Sequence, residues 1–295
     1  MCVPQFASCQ KIAFLLCIFS VLGVGADAGE ELINLKPLSG RNEEIIFQKA
    51  SAGDANAQYE LGWLAVKKDD WALAANWFQK AADQGDPHAK FNLGQIIANS
   101  DAKLSFRYCL DAAEAGVPPA MLEVGERLID GTKGAVQDKA LGLDWLYKAS
   151  KAGNKWADAL LAYGFYSGKN TGVPDYEKAF HYAQRATDSG KTGPDSSKRI
   201  LARLHLYGQG TAKNLQEATR LLVELSLKGD ADAQELLGRI LISQKKDTEG
   251  LAYLVASVRN GNAAIKNQVD YHVATYSKEQ QNLISRKANE LTIKK

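Results

Sequence analysis

Small and apolar residues recur along this chain in a fixed register. Six positions hold glycine or alanine, Gly62, Gly94, Gly125, Ala162, Ala202 and Gly238, and each follows directly on an apolar residue. Five residues earlier a small side chain stands every time (Ala57, Ala89, Ala120, Ala157, Ser197, Ala233), and nine residues earlier a glycine (Gly53, Gly85, Gly116, Gly153, Gly193, Gly229). A second half follows. Eleven residues before the glycine that closes each unit there is again a small residue, Ala74, Ser105, Gly142, Ala179, Ala218 or Gly250, with the fourth count running back from Gly190. Three residues beyond each comes a large one: Trp77, Tyr108, Trp145, Tyr182, Leu221 and Tyr253.

Small residues four or five apart share one helical face and admit a close neighbour, while the large residue fills the gap between units. Each unit is therefore predicted to be two antiparallel helices. Six units of 31 to 40 residues start near Gly53, Gly85, Gly116, Gly153, Gly193 and Gly229 and end near Asn260. Gly-Asp or Gly-Asn at Gly53, Gly85, Gly153, Gly229 and Gly261 marks the connections, glycine ending one helix in the left-handed region and Asp or Asn capping the next. "GQG" at Gly208 to Gly210 and "SGKN" at Ser167 to Asn170 mark turns inside a unit. The third unit departs with "VPP" at Val117 to Pro119, and the second and sixth have shortened inner turns. Asn42 to Gly53 reads as a half unit supplying a leading helix, and Ser277 with Gln280 opens a closing helix over 277–295. No single unit can bury its apolar face, so residues 42–276 are expected to stack as an all-α superhelical solenoid with a capping helix at each end.

These positions resemble the Sel-one-like repeat (SLR), a relative of the tetratricopeptide repeat. The best local matches are "GDANAQYELG", "HLYGQGTAKNLQEA" and "VPDYEKAFHYAQRA", the last, Val173 to Ala186, being the second helix of the fourth unit. The resemblance implies a right-handed superhelix and a role as an adaptor that holds a protein or peptide on the concave face lined by first helices. It also implies that positions three before and one after each reference residue face that groove. The first set reads Tyr59, Phe91, Leu122, Ala159, Arg199 and Glu235; the second reads Trp63, Gln95, Glu126, Tyr163, Arg203 and Arg239. With Trp156 and Tyr166 nearby, aromatics gather early and arginines late, residue types enriched at binding hot spots. The candidate partner-binding residues are Tyr59, Trp63, Phe91, Trp156, Tyr163, Tyr166, Arg199, Arg203 and Arg239.

The N-terminus reads as a secretory signal: Lys11, an apolar run from Ile12 to Gly25, then small residues at Ala26 to Ala28. The run is shorter than the roughly 20 residues that span a bilayer, so cleavage after Ala28 is expected, with 29–41 as a linker and no integral membrane segment afterwards. Export follows, periplasmic or extracellular, and the family resemblance points to a bacterial envelope. Cys2, Cys9 and Cys17 leave with the signal, so Cys109 alone remains and no internal disulfide can form. A formal charge of +2 from 36 basic and 34 acidic residues gives no field to recruit nucleic acid.

Candidate chemistry is sparse, and no cofactor, metal or catalytic group is expected. "SGKT" at Ser189 to Thr192 lacks the upstream glycine and strand of a phosphate loop, since Arg185 stands where that glycine would. His88, His181, His205 and His272 are scattered without ligand spacing, and no GxSxG or HExxH occurs. The expectation is a monomeric, non-catalytic adaptor. Two other classes stand beside it. One is a hydrolase or β-lactam-binding protein, as among family members that carry paired cysteines in each repeat. The other is a structural component of an envelope secretion or polysaccharide-export complex.

Overall fold

The computed structural model describes residues 43–169, 172–188 and 193–292. The segments read as signal (1–28), linker (29–41) and inter-unit turn (189–192) lie outside the described residues. Among those described there are helices and no strands. A leading helix α1 (Glu43–Ser51) precedes six pairs: α2 (Ala55–Lys67) with α3 (Trp71–Asp83), α4 (Pro87–Ile96) with α5 (Ala102–Glu114), and α6 (Pro118–Asp130) with α7 (Lys139–Lys151). The other three are α8 (Lys155–Ser167) with α9 (Tyr176–Ala186), α10 (Asp195–Tyr207) with α11 (Leu215–Leu227), and α12 (Ala231–Ser243) with α13 (Asp247–Arg259). A 3-10 turn (Ala263–Ile265), α14 (Lys266–Ala274) and α15 (Lys278–Glu290) follow. The fold is an all-α solenoid of paired helices, and it forms two compact units that meet within α8, the first ending at Leu161.

The connections follow from the sequence chemistry. Gly53, Gly85, Gly116, Gly153, Gly193, Gly229 and Gly261 all have φ between +80° and +120°, a region that costs a side chain strain. Asp54, Asp86, Asn154 and Asp230 then accept from the backbone N–H of Ala57, Ala89, Ala157 and Ala233 at 2.7–3.1 Å, each cap contributing about 1 kcal/mol. The small residue five before the reference position is thus also the residue whose N–H the cap receives. In the third unit Val117 has no side chain to cap with, and Pro118 at the first helical position removes the need for one of the free donors. Ser277 and Gln280 form the reciprocal capping box at the start of α15.

The reference residues let the two helices of a unit cross closely. A Cβ on Gly62 would lie 2.4 Å from the ring of Phe78, and one on Gly238 2.7 Å from the carbonyl of Gly250. Inside the longer inner turns the second glycine meets the preceding unit: a Cβ on Gly210 would stand 2.1 Å from the Tyr176 carbonyl, and one on Gly134 2.1 Å from that of Ala102. The first unit's inner turn, Lys68 to Asp70, is as short as the sixth's, and Asp69 and Lys245 there take φ of 60° and 63° without glycine.

In the unit ending at Leu161, α1, α2 and Trp77 share one core cluster, Trp63 and Phe78 anchor a second, and Phe91, Cys109, Val124 and Trp145 anchor a third. From Ala162 onward Leu201, Leu204, Leu221, Leu222 and Leu225 are fully buried. Leu251, Leu254, Ile265, Val269 and Ile284 then join α13 to the terminal helices. No described helix is long and apolar enough to cross a membrane.

Candidate binding surface

Up to Leu161 most of the aromatic candidates are committed to packing. Trp63 is 7% exposed and stands edge-on to Phe78 at 6.0 Å. Phe91, 4% exposed, lies in the cluster around Cys109. These two are core side chains, which corrects the expectation that they line a groove: a large ring beside a reference glycine fills the room that glycine leaves. Tyr59 is half-buried, tilted over Phe78 at 5.7 Å and His88 at 6.3 Å, with its Oη accepting from Asn92 Nδ2 at 3.5 Å. Burial pushes its phenol above the ordinary range. Trp156 is half-buried, its backbone N–H donating to the cap Asn154 at 3.0 Å. Leu122 and Ala159 are buried, and Gln95 and Glu126 keep partial exposure.

From Ala162 onward the same register reaches solvent. Tyr163 is 54% exposed, and Tyr166 is half-buried with its ring 5.9 Å from that of Tyr176. Arg199 donates to Asp230 at 2.5 Å and meets Asp232 at 3.5 Å, tying α10 to the start of α12. Arg203 is held more loosely, 3.9 Å from Asp232, and its Nε is buried without a hydrogen-bond partner. Arg239, with half its side chain exposed, pairs with Glu235 one turn back at 2.9 Å. Exposed pairs of that kind are worth only a few tenths of a kcal/mol. Of the three arginines, Arg199 is the structural one.

A second feature of the face lies at its C-terminal end. Between α12, α13, the 3-10 turn and α14 opens a cleft of about 350 Å³ whose floor is Ile242, Leu251, Leu254, Ile265 and Val269, with Arg239, Asp247, Gln268, His272 and Tyr276 among its polar lining. Ile242 stands four residues after Gly238, one turn beyond Arg239 on the same face of α12.

Titratable groups elsewhere serve packing. Burial pushes the Cys109 thiol up to about 12, so it stays protonated and is a poor nucleophile. Arg127 is 2% exposed; its Nε donates to Glu123 at 2.6 Å and its Nη1 to Ser105 Oγ at 2.9 Å, while Ser105 donates to the carbonyl of Gly94 at 2.6 Å. Burial would raise the Glu123 carboxyl, but Arg127 and Lys133 outweigh it and hold it below its ordinary value. For Glu126, on the same helix, burial with Glu123 beside it outweighs the same two cations and pushes its carboxyl up to about 8. Among the described residues no three His, Cys, Asp or Glu side chains converge as metal ligands would.

A family model for the Sel1 repeat matches residues 55–86, 118–154, 157–191 and 197–230. This chain carries Sel1 repeats. The four matched segments are the first, third, fourth and fifth helix pairs. The second and sixth helix pairs, outside the match, keep the buried glycine, the small residues and the cap. Among curated relatives it is 29% identical to the Sel1-repeat-containing protein YjcO of Escherichia coli K12 over 154 residues, 50% of this chain and 67% of that one. Its fold is similar to the crystal structure of c5321, described as a protective antigen of uropathogenic Escherichia coli with an SLR fold (TM-score 0.63, 23% identity, 85% of this chain). The chain spans 64% of that protein's length. A Sel1 repeat protein from Oxalobacter formigenes matches with a TM-score of 0.57 at 22% identity, over 85% of this chain and 97% of the other.

The sequence reading missed a ladder of polar pairs. Gln58 with Gln84 (2.8 Å), Lys198 with Glu224, and Gln234 with Asn260 (3.0 Å) join positions 26 residues apart. In each pair the first residue sits four before a reference position. Gln58 and Gln234 also donate to carbonyls eight residues back, Ala50 and Ser226. The signal was present as polar residues recurring at a position otherwise buried. The terminal cleft had no such signal, since the register is lost beyond Gly261.

Proposed function

We propose that this Sel1-repeat protein is an exported, monomeric interaction scaffold of the bacterial envelope that holds a protein or peptide against its first helices and performs no chemistry of its own. Sel1-repeat proteins are in general interaction scaffolds, which supports the coarse reading. The observation that carries the finer one is the series Tyr163, Arg203 and Arg239, one register position on three successive first helices, of which Tyr163 and Arg239 are exposed and Arg203 is partly so, and none is spent on strong pairing. The protonated Cys109 favours a scaffold over a thiol-dependent hydrolase. Export rests on the apolar run and small residues at Ile12 to Ala28.

Site-specific photocrosslinking in the native cell tests the binding face. A crosslinker at Tyr163 should capture a defined partner band, and one at Leu227, 71% exposed at the end of a second helix, should not. Equal capture from both positions would refute the face. Alkaline phosphatase fused after residue 41 should be active outside the cytoplasm, and an inactive fusion would remove the export reading.

A further inference from the structure

The terminal cleft is a consequence of how the repeat stops. In each regular unit a small residue five before the reference glycine lets the next first helix seat closely. Beyond Gly261 the chain offers Ile265 and Val269, which turn bulky side chains onto Leu251 and Leu254. The helix that takes the next unit's place therefore leaves an open space of about 350 Å³, within the range of ligand pockets. Its floor is aliphatic. Its α12 wall carries Arg239, in the register that Tyr163 and Arg203 occupy earlier, with Ile242 one turn beyond it, so the cleft is continuous with that face.

The charges along this line choose the occupant. Arg239 is engaged by a single exposed one-turn pair, and Arg203 by a 3.9 Å contact with a buried, unpartnered Nε. Both guanidiniums can exchange these for a ligand carboxylate in bidentate geometry. His272 in the lining adds a donor, and Asp247, at the first turn of α13, is the acidic member. We infer that the cleft anchors one bulky apolar side chain of an extended acidic peptide segment, with carboxylates next to that side chain meeting Arg239 and Arg203. This rests on the reading that the first-helix face binds a peptide, and it adds the anchor and the peptide's charge.

The test uses the mature full chain and a fluorescein-labelled glycine–serine dodecapeptide carrying one Glu-Phe-Glu motif, followed by fluorescence anisotropy. The phenylalanine peptide should bind at least about tenfold more tightly than its alanine counterpart, because a ring buried in an apolar pocket is worth about 1.5–3 kcal/mol. Gln268→Trp, which fills the mouth from an exposed position, should remove that preference. Arg239→Gln should weaken binding and flatten its salt dependence. Ser243→Phe provides a second filling variant, and both variants should melt as the unsubstituted chain does. Undiminished preference for phenylalanine in both filled variants, or no binding of the motif peptide by the unsubstituted chain, overturns the anchor. If the filled variants bind normally while Arg203→Gln weakens binding, the cleft is refuted and the first-helix face survives.

Discussion

Glu126 should make the protein less stable as pH rises through neutrality. It lies on α6 between Glu123 and Asp130, and burial together with the Glu123 charge outweighs the pull of Lys133 and Arg127, so its carboxyl is pushed up to about 8. In the unfolded chain it titrates near 4.5. Between those two values the folded protein holds a proton that the unfolded chain has released, so stability is fully present below about 4.5 and is lost as pH rises through about 8. For a wholly sequestered carboxyl the span corresponds to roughly 5 kcal/mol, at about 1.4 kcal/mol per pH unit. Glu126 keeps part of its surface in water, which screens the charge, and we expect about 1–2 kcal/mol. Glu126→Gln removes the titration while keeping the shape. Urea denaturation of both proteins at pH 5, 7 and 9 would show the variant gaining stability over the parent progressively toward pH 9. A stability difference that does not change with pH would refute the reasoning.

Three further outcomes follow from the packing. Gly210→Ala should destabilise by about 1–3 kcal/mol, since the Cβ would stand 2.1 Å from the Tyr176 carbonyl at a φ of +66°, and a melt within a degree of the parent would contradict it. Lys198, 3% exposed, is matched by Glu224 at one-third exposure; Lys198→Ala should cost about 1–3 kcal/mol, and a double-mutant cycle with Glu224→Ala should give a coupling above about 0.5 kcal/mol. Cys109, fully buried with its thiol raised to about 12, should resist a thiol reagent at pH 8 in a native chain lacking residues 1–28 and react stoichiometrically in denaturant, with fast native labelling as the contrary result.

The scaffold was legible because backbone and steric constraints act at fixed spacing. Glycine at Gly53 or Gly229 answers a positive φ, and glycine at Gly62 or Gly238 answers a carbonyl or ring within 3 Å of where a Cβ would be. Such demands recur in each unit, so six imperfect copies reinforce one another. The candidate binding face was legible only in part. The position after the reference residue is geometrically the same at Trp63 and Tyr163, yet Trp63 folds onto Phe78 while Tyr163 is left in water, and that depends on what the second helix supplies opposite. Arg199 and Arg203 are one turn apart, but only Arg199 reaches both Asp230 and Asp232. The cleft was invisible in the sequence because it arises where the repeat fails, and an absent register carries no spacing to read.

The central claim is that partner binding runs through the first helices. It is tested most directly by the affinity of the partner captured at Tyr163 for a Tyr163→Ala, Arg203→Ala, Arg239→Ala variant, set beside a variant altered at Leu215 and Leu227 on α11, both exposed and outside the face. The account predicts a loss of at least about tenfold, with reduced salt dependence, in the first variant and none in the second. Equal affinities for the two variants would contradict it.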